Sequence, residues 1–137
     1  MPNFWLLKTE PSTYSYSDLE KDGKTTWDGV ANNYALKNMS QMKRGGLVFI
    51  YHTGEEKQIF GIAEAISNPY PDPKQKNPRL LVSDLKPYKK LSRPVTLAEL
   101  KAQKELKNFE LVRLPRLSVM PVPPDIWKKI LKLAGEK

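Results

Sequence analysis

A chain of 137 residues with 39% hydrophobic side chains has the size and composition of one folded domain, too apolar for disorder and too short for two cores. It contains no cysteine and one histidine, which excludes disulfides, thiolate zinc sites, cysteine nucleophiles and a histidine-rich metal centre. The formal charge of +8 points to a polyanionic partner, nucleic acid ahead of an anionic membrane.

No run approaches the roughly 18 apolar residues of a membrane span. The start Met1-Pro2-Asn3-Phe4-Trp5 lacks the basic segment and cleavage site of a secretory signal. The expected compartment is therefore the cytoplasm of a bacterial-type cell, or the nucleus if the protein is eukaryotic.

In chain order, Phe4-Trp5-Leu6-Leu7 predicts a strand buried on both faces, ended by Lys8-Thr9-Glu10-Pro11. Ser17 to Asp22 predicts a short helix stopped at Gly23. Thr25-Thr26-Trp27 is an extended piece turning at Asp28-Gly29. Ala31, Ala35, Leu36, Met39 and Met42 recur at helical spacing and predict a helix over 31–42. Leu47–His52 and Gln58–Ser67 predict a hairpin through Thr53-Gly54-Glu55-Glu56. In its second strand Gly61, Ala63 and Ala65 share a small-residue face, which predicts close approach by another element or a ligand.

Residues 68–79 are proline-rich and basic and predict a loop. A strand resumes over 80–88, and Thr96-Leu97-Ala98-Glu99 is a capping box opening a helix to about Lys104. Leu117–Met120 predicts the last strand and Pro124–Ala134 the last helix. Strands and helices in mixed order give an α+β fold over residues 1–137, with about five or six strands curved into a pseudo-barrel flanked by helices.

Chemistry-bearing residues gather at predicted strand ends. Lys8, Thr9 and Glu10 set a cation, a hydroxyl and a carboxylate in a row, either as a surface turn or as donors and acceptors for the edge of a base. Trp27 is either core or a stacking surface. Tyr51-His52-Thr53 ends another apolar strand with two rings and a hydroxyl. Rims of small barrels are where ligands sit, so the coincidence favours a binding site.

Trp5-Leu6-Leu7-Lys8-Thr9-Glu10-Pro11, Tyr16-Ser17-Asp18-Leu19, Trp27-Asp28-Gly29-Val30, Tyr51-His52-Thr53-Gly54, Gly61-Ile62-Ala63-Glu64, Tyr70-Pro71-Asp72-Pro73, Pro94-Val95-Thr96-Leu97 and Arg116-Leu117-Ser118-Val119-Met120-Pro121-Val122 together resemble, in order, the EVE domain family. The resemblance implies a PUA-like fold related to the YTH and ASCH domains. It also implies binding of a flipped, modified base in DNA or RNA, a modified cytosine or a methylated adenine. Carried over by motif, Trp27 is an aromatic wall and Lys8, Thr9 and Glu10 line the polar edge of the base. Asp28 belongs to the same turn, Asn32 adds a hydrogen-bonding group, and Tyr51, His52, Arg116 and Ser118 complete the rim.

Two departures stand out. Gly45-Gly46 replaces a Gly-Asp pair common before the Tyr-His strand, and Ala31-Asn32-Asn33 replaces the Arg-Asn-Tyr of one subgroup. The arginine contact of that subgroup is lost, so its base preference does not transfer.

Lys74, Lys76 and Arg79 in the proline-rich loop are the candidate phosphate-backbone contacts, with Lys86–Arg93 and the face of Lys128, Lys129 and Lys132 as further basic stretches. A monomer is expected, with no cofactor, no metal, no membrane partner and no catalytic residue. Two alternatives stay open. One is an amidohydrolase resembling the ASCH group, with Thr9 and Lys8 as nucleophile pair and Glu64 as base. The other is a protein-interaction module whose basicity is incidental.

Overall fold

The structure is a computed structural model that describes residues 3–136. Its strands are β1 (Phe4–Thr9), β2 (Thr25–Trp27), β3 (Leu47–His52), β4 (Gln58–Ala65), β5 (Tyr70–Pro71), β6 (Leu81–Thr96) and β7 (Val119–Pro121). Its α-helices are α1 (Tyr16–Asp22), α2 (Asn33–Ser40), α3 (Leu97–Lys101), α4 (Glu110–Arg113) and α5 (Pro124–Leu133). The strands pair in the order β2-β6-β4-β3-β1-β7, with β5 added on β6, and the sheet curls into a half-barrel. The α+β, PUA-like architecture expected from the sequence is the one observed.

β1 lies inside the sheet, parallel to β3 and antiparallel to β7. Trp5, Leu6 and Leu7 are all buried, so both faces are covered, as the unbroken apolar run requires. Thr9 pairs with His52, which brings the ends of β1 and β3 to the same rim.

The small-residue face of β4 meets a helix. A methyl group added at Gly61 would lie 2.6 Å from the Tyr16 ring, so only glycine lets α1 seat that ring on the strand. The Tyr16 hydroxyl then donates to the Ile62 carbonyl at 2.8 Å. The ladder of β4 with β6 shifts register between Ile62 and Ala63, where Pro87 stands opposite Ala63. A proline donates no ladder hydrogen bond, and a register shift is where a strand tolerates one. β6 therefore runs on for 16 residues, well past the expected stop at Tyr88.

Other boundaries also move. α2 begins at Asn33 and ends at Ser40 rather than spanning 31–42, because the Asn32 carboxamide oxygen caps it by accepting from the Tyr34 and Ala35 amides. The capping box at Thr96 and Glu99 forms, but α3 ends at Lys101 and a 3-10 turn, Lys104–Leu106, follows. The last strand starts two residues late because the Leu117 amide closes a turn on the Leu114 carbonyl at 3.0 Å. Two-residue β5 and one-turn α4 are too short for any periodicity to announce.

Candidate functional site

Thr25–Trp27 edges the sheet four strands away from β1, yet the curl of the half-barrel brings the two strands to one mouth. Between them lies a cleft of about 470 Å³. Lys8, Thr9 and Glu10 form one wall, Thr25, Thr26, Trp27, Asp28 and Gly29 the other, and Thr13 and Tyr14 of the β1–α1 turn close one side.

The polar residues of the β1 wall are each held by a neighbour. The Thr9 hydroxyl donates to the Tyr14 carbonyl at 2.7 Å, which fixes the rotamer and leaves its oxygen lone pairs to accept from a ligand. The Glu10 carboxylate accepts from the Ser12 hydroxyl at 3.1 Å and from the Thr53 hydroxyl at 3.3 Å. The Lys8 ammonium donates to the Pro115 carbonyl at 2.8 Å, and burial lowers its pKa below the usual lysine value. Tyr14 meets Trp27 edge-on, with ring centroids 6.3 Å apart at 84°, and anchors its own hydroxyl on Asp22 at 2.8 Å. Trp27 is only 8% exposed: most of the indole belongs to the core and the remainder faces the cleft. Of the two readings open for Trp27, the core one holds for most of its ring.

Past Thr26 and Asp28 the cleft continues into a hollow of about 400 Å³ bordered by Tyr70, Asp72 and Lys74. The Tyr70 and Thr26 hydroxyls both donate to Asp84, at 2.7 and 2.9 Å, and join β5 to the outer wall.

Of the ten residues expected in the pocket, this cleft gathers Lys8, Thr9, Glu10, Trp27 and Asp28. The other five stand outside this cleft. His52 is 3% exposed; its Nε2 accepts the Tyr16 amide at 3.0 Å, its Nδ1 faces Glu56 at 2.9 Å, and its ring stacks on Phe60. It orders α1 and the β3–β4 turn from inside. The Asn32 carboxamide oxygen caps α2, and Asn32 borders the hollow that also holds Arg116. Arg116 borders a separate shallow hollow with Tyr34 and Leu114, and Ser118 accepts the Lys8 amide in the ladder through its carbonyl. Tyr51 lies across Lys8, whose ammonium is 5.7 Å from its ring centroid, in a different cleft.

Among the backbone candidates, Lys74 borders the hollow that also holds Asp28 and Asp72. The Arg79 guanidinium is tied to the Asn33 side chain, and Lys76 stands exposed in the loop.

Residues 3–133 match the EVE domain. The chain belongs to the EVE domain family. Among relatives of this EVE domain, human thymocyte nuclear protein 1 is 29% identical over 97% of this chain and 74% of that protein. A solved structure from Rhodopseudomonas palustris is 41% identical over 97% of this chain and 93% of that one, with a TM-score of 0.92. The human thymocyte protein, solved in complex with DNA containing 5-methylcytosine, is 28% identical over 98% of both chains, with a TM-score of 0.89.

The EVE domain does not assemble the hydrolase triad. Glu64 pairs with Leu47, whereas Thr9 pairs with His52. Five residues of β3 separate those positions, about 17 Å along an extended strand. Glu64 instead meets Lys86, its partner across the β4–β6 ladder, at 3.7 Å. Among the described residues no group of three or more histidine and carboxylate side chains could hold a metal, and no helix is long and apolar enough to cross a membrane.

Sequence reasoning missed Thr13, Tyr14, Thr25 and Thr26 in the cleft. Tyr14 carried a readable signal, as an aromatic placed between a strand end and a capped helix. The threonines carried none, because an exposed hydroxyl on an edge strand has no pattern of its own.

Proposed function

We propose that this chain, a single EVE domain over residues 1–137, binds nucleic acid and seats one flipped, modified base in the cleft between β1 and β2, with 5-methylcytosine the first candidate. The observation that carries the reading is the cleft itself: an indole edge braced by a tyrosine ring stands opposite a lysine, a threonine and a glutamate at one rim. The complex of human thymocyte nuclear protein 1 with DNA containing 5-methylcytosine supports the ligand class. The charge of +8 supports a polyanion.

Extruding a base from a duplex costs a few kcal/mol, which stacking and edge hydrogen bonds must offset. An aromatic partner contributes about 1–3 kcal/mol per base. Thr9 oxygen lone pairs and the Glu10 carboxylate accept from an exocyclic amine, while the Lys8 ammonium donates to a carbonyl oxygen. None of these groups needs to react. The base is held, read and released unchanged.

The test is a panel of short oligonucleotides identical except for one base: cytosine, 5-methylcytosine, adenine or N6-methyladenine, each as DNA and as RNA. Saturable binding of one modified oligonucleotide at least tenfold tighter than its plain twin, with the strand recovered chemically unchanged, is the expected result. Equal affinity for every member, or product released over several turnovers, overturns the reading.

A further inference from the structure

A second cleft, of about 280 Å³, opens on the other side of Lys8. Lys57, Lys101 and Thr53 line it together with Tyr51 and Leu111. Three ammonium groups border this space. The Glu56 carboxylate nearby is turned onto His52 at 2.9 Å, and Glu10 reaches Thr53 from the first cleft. Four other cations are ion-paired, Lys86 with Glu64, Lys89 with Glu136, Arg93 with Glu99 and Lys129 with Glu105; what sets this cleft apart is that it gathers three lysines around one space. Lys57 and Lys101 have no carboxylate within ion-pair distance among the described residues. Lys8 is half-buried and meets the Pro115 carbonyl and the Tyr51 ring, both uncharged. A partly desolvated cation without a counter-charge is matched by an anionic ligand.

The backbone at Lys57 points the same way. Lys57 has φ of 45°, the one non-glycine residue among those described in the left-handed region, where asparagine or glycine sits more easily. Its carbonyl accepts the Leu97 amide at 2.8 Å, so the turn is locked to the start of α3 and its side chain is presented beside Lys101. A flexible amine is thus carried on a fixed backbone, at a position unfavourable for lysine.

We infer that this cleft is a phosphate site, taking a backbone phosphate next to the seated base, with Lys57 and Lys101 on its far wall and Lys8 shared between phosphate and base. The inference rests on the base-seating reading for its ligand but not for its chemistry. It moves the backbone track away from Lys74 and Arg79, whose surroundings hold Asp28, Asp72 and Asn33, to the β3–β4 turn and α3.

The experiment uses an abasic deoxyribose-phosphate trinucleotide, which has phosphates and no base to seat, followed by amide NMR on the whole chain. In wild type the amides of Thr53, Gly54, Lys57 and Lys101 shift saturably, and the shifts vanish at high salt. In the double variant Lys57→Asn with Lys101→Gln they stay still, and the melting temperature holds because asparagine accepts the left-handed backbone. With a modified oligonucleotide the same variant loses about 0.7–0.9 units of salt slope, the contribution of one phosphate contact. Its preference for the modified base over the plain one is unchanged. Neutralising Lys74, Lys76 and Arg79 together moves the slope less. Amides that never shift with the abasic probe, or a slope that survives the double variant, overturn the phosphate site. Abasic binding without any base preference keeps the phosphate site and overturns only the base-seating reading.

Discussion

Trp27 and Trp127 are the same residue type at nearly the same exposure, 8% and 4%, and their surroundings differ. Trp127 on α5 is sandwiched: Phe4 stacks on it at 4.4 Å and 8°, Phe49 at 3.8 Å and 21°. Both indole faces are covered, and the ring locks α5 onto β1 and β3. Trp27 on the edge strand has Tyr14 edge-on at 84° and a cleft beside it. Burial alone cannot separate a core ring from a binding ring. What separates them is whether each face has a partner.

Truncation of both rings should separate them most strongly. Trp127→Ala empties the space between two aromatic rings and should cost about 3–5 kcal/mol, most of the stability of a small domain. Trp27→Ala should cost less in denaturant unfolding, because part of its indole already faces open space. The same variant should lose about 1–3 kcal/mol of oligonucleotide binding, roughly tenfold to a hundredfold, with no preference left for the modified base. Equal loss of stability by the two variants would break the comparison and return Trp27 to the core.

The wall opposite Trp27 gives an intermediate effect. Thr9→Val keeps the shape but removes both the bond to the Tyr14 carbonyl and the acceptor facing the cleft, and should weaken base binding by about 1–3 kcal/mol. Thr9→Ser retains both and should bind nearly as wild type. If calorimetry finds Thr9→Val and Thr9→Ser equal in affinity, Thr9 is only a turn residue.

These contrasts explain what the sequence could and could not reveal. The apolar run of β1, the hairpin of β3 and β4, the Thr96 capping box and the small face of β4 were legible, because each is a local pattern with one physical meaning. The Lys8-Thr9-Glu10 row was legible as a strand end, while its pattern fitted a surface turn as well as a binding rim. His52 was not: a histidine at a strand end looks the same whether it faces solvent or donates and accepts within α1 and the β3–β4 turn. Asn32 was drawn toward the base by its motif, while its immediate duty is local, as the cap of α2. The grouping of Lys8 with Lys57 and Lys101 joins residues from three distant stretches, and the pairing of β1 with β3 and of β4 with β6 brings them together.

The smallest effect concerns the brace of Trp27. Tyr14→Phe keeps the ring that meets Trp27 and deletes the hydroxyl that donates to Asp22 at 2.8 Å. Near neutral pH the variant should lose about 0.5–1.5 kcal/mol of stability, the net contribution of one hydrogen bond, and keep its binding. Burial, with the Asp22 charge adding to it, raises the Tyr14 pKa above the ordinary value of 10.0. A folded-state pKa above the unfolded one means that the contribution is fully present below about pH 10 and lost as the pH climbs through the raised value. The stability gap between wild type and Tyr14→Phe should therefore be constant from pH 7 to 9 and close at more alkaline pH, where a phenolate facing Asp22 repels it. Urea titrations at pH 7 and above pH 10 check the sign. A gap that widens with pH would place the proton on the wrong partner, and a loss of base preference in Tyr14→Phe would mean that the hydroxyl, not the ring edge, orients Trp27.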